Sequence, residues 1–259
     1  YPELYKEAVT DFAYLDNNLY VIARGKLLIY NNLKYSFKPR GSVRSITKNA
    51  IGTYGGVYIN GKKLSKITYT DGQIREFDSI TFVCYNGLLS YKDNIETKLY
   101  NNDNSIRTKG EYGAISDIYA LSNSKYLVIS DRGIYKYDYN GNIFELIYES
   151  QNKIIPLRNK IDSRIKDRGE FNFVDNNRYI SLNVNDYSID IIEDDIKFEI
   201  KDILESDLNG NYFYAISKNN LLLSLKRTKE GLTVVNQNLI ESTAHTISDY
   251  ENLIFLSGN

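Results

Sequence analysis

The sequence predicts an all-β fold, a β-propeller of about seven four-stranded blades with the last blade incomplete within these residues. Three observations predict it: a repeated strand entrance, the order of signals that follows each entrance, and a composition that favours strands. The entrance is an apolar residue followed two positions later by a small or acidic polar residue, and then by another apolar one. It occurs at Val9-Thr10-Asp11-Phe12, Val43-Arg44-Ser45-Ile46, Ile74-Arg75-Glu76-Phe77, Ile115-Ser116-Asp117-Ile118, Arg168-Gly169-Glu170-Phe171, Glu205-Ser206-Asp207-Leu208 and Ile247-Ser248-Asp249-Tyr250. The spacing is roughly 40 residues, the length of one propeller blade.

The fourth unit shows the order most clearly. Ile115 to Leu121 reads as a first strand, Ser122-Asn123-Ser124 as a turn, and Tyr126-Leu127-Val128-Ile129-Ser130 as a second strand. Asp131-Arg132-Gly133 turns the chain into Ile134-Tyr135-Lys136-Tyr137, and Asn140-Gly141 is a strong hairpin signal before a fourth strand from Asn142 to Leu146. The first, second, third and sixth units carry the same parts at Leu19 to Tyr30, Thr53 to Ile59, Phe82 to Leu89 and Tyr212 to Leu223. The segment 152–168 breaks the rhythm. It holds Lys153, Arg158, Lys160, Arg164, Lys166 and Arg168, and reads as an extended connection between blades. The seventh unit supplies two strands and stops at Asn259. An open propeller edge exposes unpaired strand groups.

Composition sets the broad class. The chain has 259 residues, enough for one large β domain spanning 1–259, and its formal net charge is −1. That balance argues against a general nucleic-acid binder, which needs excess cations to displace counterions. With 24 Tyr, 10 Phe and three Pro, the chain is rich in residues that fit a pleated surface. It contains no Met, so Tyr1 is expected to be the start of a processed or excised piece of a longer protein. No apolar stretch in the sequence is long enough for a membrane-spanning helix. The single Cys84 sits in the apolar run Ile80 to Tyr85 and reads as a buried strand residue.

The repeats resemble the ligand-binding sensor propeller of two-component regulators. That family's blade runs Leu-Trp-Ile-Gly-Thr, two variable residues, Gly-Leu, two more, and Tyr-Asp. Its best counterpart here is Tyr126 to Asp138, while Thr53 to Val57 and Cys84 to Leu88 match the middle. The family's Thr column is filled by Ala23, Thr53, Cys84, Ser130, Ser217 and Ser257, and its Trp column is lost. The resemblance implies an extracytoplasmic (periplasmic or extracellular) domain that recognises a glycan-like ligand, with dimerisation carrying the signal.

The remaining motifs point away from catalysis and metal binding. His245 is the only histidine, so no His/Cys cluster exists for zinc, and no Gly-x-Ser-x-Gly elbow accompanies it. Asp138 to Asn142 and Asp207 to Asn211 share Asp-x-Asn-Gly-Asn, which reads as a hairpin turn because a calcium loop's terminal Glu is missing. The acidic positions Asp11, Glu76, Asp117, Glu170, Asp207 and Asp249 read as side chains that accept local backbone N–H bonds at strand entrances. No cofactor is expected.

A propeller's turns between second and third strands share one face with the connections between blades. That face commonly carries ligand sites. The candidate ligand-binding residues on it are Arg24, Arg44, Tyr54, Arg75, Tyr85, Arg132, Arg168, Lys218 and His245. Arg forks and Tyr rings suit acidic or hydroxyl-rich ligands. The expected function is sensory recognition of an oligosaccharide or acidic small ligand without catalysis. The alternatives are a scaffold that docks a homodimer or protein partner, and a propeller glycan hydrolase or lyase.

Overall fold

The computed structural model describes residues 9–15, 18–23, 26–29, 43–47, 49–53, 56–59, 62–64, 73–100, 110–122, 124–157, 169–193, 196, 199–205, 211–229, 231–240, 244–250 and 253–258. None of these residues is helical. Every sheet is an antiparallel meander whose strands pair only with chain neighbours. The chain divides into two compact units, Tyr1–Glu149 and Ser150–Asn259.

The first unit holds four sheets. β1 (Val9–Leu15), β2 (Asn18–Ala23) and β3 (Lys26–Ile29) form the first. β4 (Val43–Ile46), β5 (Ala50–Thr53), β6 (Gly56–Ile59) and β7 (Lys62–Lys63) form the second. The third contains β8 (Ile74–Phe77), β9 (Ile80–Cys84), β10 (Leu88–Lys92) and β11 (Ile95–Tyr100). The fourth contains β12 (Ile115–Ser122), β13 (Lys125–Ser130), β14 (Gly133–Asp138) and β15 (Ile143–Glu149).

The second unit holds three. β16 (Ile155–Pro156), β17 (Glu170–Asp175), β18 (Arg178–Asn183) and β19 (Ile189–Glu193) make one sheet. β20 (Ile200–Glu205), β21 (Tyr212–Ser217), β22 (Leu221–Thr228) and β23 (Gly231–Leu239) make the next, and β24 (Ala244–Tyr250) pairs with β25 (Leu253–Gly258).

Side-chain burial explains why these segments become strands. The second and third strands of a sheet lie between two neighbours and read as near-continuous apolar runs: β13 buries every residue after Lys125, and β9 buries all five. Adjacent sheets then pack face to face. Phe77, Phe82 and Leu88 of the third sheet interlock with Ile118, Tyr126, Val128 and Tyr137 of the fourth. Phe82 and Tyr126 meet edge to face, 4.7 Å between ring centroids. In the second unit, Val174 and Tyr179 pack with Ile203, Phe213 and Leu225 in the same way.

Tight hairpins set the registers. Asp78-Ser79, Asp93-Asn94 and Asn176-Asn177 each place two successive residues at positive φ, as a two-residue type I′ turn requires. Asp138 instead closes a longer turn, its Oδ1 accepting from the N–H groups of Asn140 and Gly141 at 3.0 and 3.3 Å. This is the hairpin expected of the first Asp-x-Asn-Gly-Asn segment; residues 207–210 of the second lie outside the described ones.

At five first strands the entrance is a β-bulge. First strands shift register between Val9 and Asp11, Val43 and Ser45, Ile115 and Asp117, Ile200 and Asp202, and Ala244 and Thr246. In these five strands the polar residue follows one extra residue that bends the strand, whereas Ile74-Arg75-Glu76-Phe77 of β8 pairs with β9 in unbroken register. Three predicted entrances are displaced. Glu170 opens the second strand of its sheet, because the two-residue β16 precedes it. Glu205 closes β20, whose true entrance is Ile200-Lys201-Asp202-Ile203. The seventh begins at Ala244, three residues before the predicted Ile247. Asp202 and Thr246 thus take the places assigned to Asp207 and Asp249.

Candidate functional site

Among the described residues, backbone hydrogen bonds tie turns between second and third strands to the connections that enter first strands. Asp131 N donates to Ala114 O at 3.1 Å, Lys218 N to Glu199 O at 2.8 Å, and Ile115 N to Tyr85 O at 2.8 Å. Turns and connections therefore share one end of the sheets within each unit, as the geometric argument requires.

The small-residue column makes these turns rigid. Ser130 Oγ accepts from Arg132 N at 3.0 Å and Gly133 N at 3.2 Å. Thr53 Oγ1 donates to Gly56 O at 2.9 Å, and Ser217 Oγ accepts from Leu221 N at 3.1 Å. A hydroxyl one residue before a turn satisfies backbone N–H and C=O groups that the strand ladder leaves over. Cys84 occupies the same position in the third sheet and is fully buried. Burial, reinforced by the Asp117 carboxylate and partly offset by Arg75, holds its thiol well above the ordinary range.

The predicted site residues divide into three groups. Arg24, Tyr54 and Arg168 lie outside the described residues. Arg44 and His245 fall at the extra residue of the β4 and β24 bulges, in strands rather than in connections. The other four are described with their side chains. Arg132 is exposed on its turn and donates from Nη1 to the carbonyl of Glu111. Lys218, also exposed, pairs with Glu199 at 2.9 Å. Tyr85 is buried, and burial pushes its hydroxyl up to about 12.

Arg75 belongs to β8 and is committed to a neighbouring sheet. Its Nε and Nη2 each reach one oxygen of Asp117 at 2.8 Å. Tyr119 donates its hydroxyl to Asp117 Oδ2 at 3.0 Å, and Ile118 N donates to Oδ1 at 2.9 Å. The guanidinium also lies 5.7 Å from the Tyr119 ring centroid. Burial pulls the Arg75 pKa down, but Asp117 more than offsets this and holds it above its ordinary value. The fork is therefore used in fixing β8 to β12. Sequence reasoning missed this pair, although the two residues are 42 positions apart, about one repeat. The expectation that acidic entrance residues cap local N–H groups holds only in part. Asp117 does so at Ile118, whereas Asp202 accepts from Ile247 N in the next sheet at 3.0 Å, and Glu76 takes Thr47 and Asn49 of the preceding one.

What remains on this end of the first unit is a compact group around Arg132. Asp131 Oδ1 accepts from Ala114 N at 2.8 Å, pinning the residue 110–114 connection against the turn. Tyr112, half-buried in that connection, stacks on Phe144 with 4.6 Å between centroids. The sequence gives no spacing signal for Tyr112, since it reaches the turn only through this connection. An exposed guanidinium held on the Glu111 carbonyl by one of its nitrogens can recognise a carboxylate or sugar hydroxyls with the others. Among the described residues, no group of three or more His, Cys, Asp or Glu side chains could hold a metal ion.

Blades of this kind define a β-propeller, and solved structures carry the same fold. The extracellular domain of the hybrid two-component system BT4673 from B. thetaiotaomicron matches with a TM-score of 0.67 at 16% identity, over 97% of this chain and 37% of that one. This sequence thus spans little more than a third of that extracellular domain's chain. The β-propeller domain of Cps50 (Swd1) from Myceliophteria thermophila matches with a TM-score of 0.67 at 13% identity, over 97% and 94% of the two chains. BamB from Moraxella catarrhalis matches with a TM-score of 0.57 at 8% identity, over 96% and 80%. At these identities the likeness is one of fold. No protein-family model and no curated protein matches the chain.

Proposed function

We propose that this chain is a ligand-recognition propeller of a signalling protein, acting outside the cytoplasm and binding an acidic or glycan-like ligand without chemistry. The observation that carries the reading is the Arg132 turn, an exposed guanidinium on a hydroxyl-capped loop, held on the Glu111 carbonyl of the connection that also carries Tyr112. The fold it shares with an extracellular domain of a two-component system supports the sensory role. No helix among the described residues is long and apolar enough to cross a membrane. Preorganisation favours recognition, since the turn loses little freedom on binding.

The test is a thermal-shift panel of acidic and neutral oligosaccharides. An acidic oligosaccharide at about a hundred times its dissociation constant adds about 2.7 kcal/mol of apparent stability. Arg132→Ala abolishes that gain while leaving the unliganded melting temperature unchanged. A flat response across the whole panel removes the reading. A scaffold role is the second reading, favoured by the aliphatic side chains that the outer strands expose.

A further inference from the structure

All the large apolar side chains that stand exposed among the described residues, except Tyr212, lie in last strands of sheets. They are Ile95 of β11, Ile143 and Leu146 of β15, Ile189 and Ile191 of β19, and Val234, Val235 and Leu239 of β23. Each of these strands is the edge of its sheet, with one row of backbone groups directed away from its partner. Proteins guard such edges with charge, and three of the four follow that practice. β11 carries Glu96 and Lys98, β15 carries Glu145 and Glu149, and β19 carries Asp190 and Glu193.

β23 departs from it. Its nine residues, Gly231 to Leu239, contain no charge and no proline, and it is the longest strand. Thr233 to Leu239 is exposed throughout, with Val235 at 55% and Leu239 at 74%. At about 3.4 Å per residue the edge runs roughly 30 Å. We infer that β23 pairs edge to edge, antiparallel, with β23 of a second copy of this chain.

The charge pattern selects a second copy as the occupant. Antiparallel pairing about a two-fold axis sets each strand against itself, so any net charge would face its like. β15 and β19, acidic along their length, would repel their own copies; β23 carries nothing to repel. Its polar side chains, Asn236, Gln237 and Asn238, both donate and accept, so each complements its own kind. The inference is independent of the ligand site.

Sedimentation of the 259-residue chain tests it. The expected result is a concentration-dependent dimer. Val235→Lys and Val235→Glu, each at an exposed side chain, raise the dimer dissociation constant at least about tenfold by bringing like charges together across the seam. Mixing the two variants restores a dimer. Circular dichroism melts of each variant confirm that folding is unchanged. A chain that stays monomeric at every soluble concentration overturns the inference. So does a dimer indifferent to both substitutions, or a mixture that stays monomeric.

Discussion

Asp117→Ala is the most informative perturbation of this fold. The carboxylate it removes accepts both forks of Arg75, the Tyr119 hydroxyl and the Ile118 N–H. Breaking a buried pair by deleting one partner costs about 3–5 kcal/mol, because the other charge is left unpaired. Arg75 is 32% exposed at its side chain and Asp117 10%, so water reaches the orphaned guanidinium and the lower figure, about 3 kcal/mol, applies. For a unit of this size each kcal/mol moves the melting temperature by about 2–4 °C, which gives a drop of roughly 6–12 °C. The assay is a pair of urea and thermal melts on wild type and variant, with an unchanged urea slope showing that the unfolded reference is the same. The double variant Arg75→Met/Asp117→Leu, which replaces both charges with apolar groups, should lose much less than Asp117→Ala. A single-variant loss below about 1 kcal/mol would refute the reasoning, since that is the worth of an exposed surface pair.

Two further predictions follow from packing and burial. A Cβ at Gly133 would lie 2.1 Å from the carbonyl oxygen of Tyr148 and 3.0 Å from Leu146, so Gly133→Ala pries β14 from β15. A cost of roughly 1–3 kcal/mol in a urea melt is expected, as for an overpacked core. Burial pushes the hydroxyls of Tyr85, Tyr126 and Tyr179 from an ordinary 10.0 up to about 12. Below pH 10 folded and unfolded chains are both protonated and stability is full. As pH rises through about 12 the unfolded chain ionises first, and stability is lost. Tyrosinate absorbance followed alongside circular dichroism should show these rings ionising near pH 12 while the fold persists; ionisation near pH 10 in the intact fold would contradict it.

The sequence made the blades legible because each is local. Strand, turn and strand follow within a few residues, and the Asp131-Arg132-Gly133 turn reads from composition alone. Four entrances, at Val9, Val43, Ile74 and Ile115, coincide with the starts of first strands. The other three failed for physical reasons. β16 is two residues long and includes Pro156, too short to show a period. At Glu205 and Ile247 the motif recurs inside or at the end of a strand that opens elsewhere, because an apolar–polar alternation cannot mark which residue bulges. The Arg75–Asp117 pair was harder to see, since two charges a repeat apart in sequence become partners only once the sheets stack. Tyr85 reads as a surface turn residue, yet its ring is buried because the connection into β12 closes over it through the Ile115 bond.

The pairing of every strand with its chain neighbour has a consequence for how this molecule can change. Among the described residues no sheet borrows a strand from a distant part of the chain. Apart from the connection between β16 and β17, the contacts that build one sheet span short loops, so each meander assembles quickly and its cost in chain closure is small. The faces of that meander, however, are apolar on both sides and stable only when a neighbour covers them, as in arrays of stacked repeats. A duplication or deletion of one whole meander therefore leaves every remaining strand with its partner and only two faces to be matched anew. A cut inside a meander strands half a ladder. Lineages of such proteins are expected to grow and shrink by whole blades, with the loops at either end free to change their ligands.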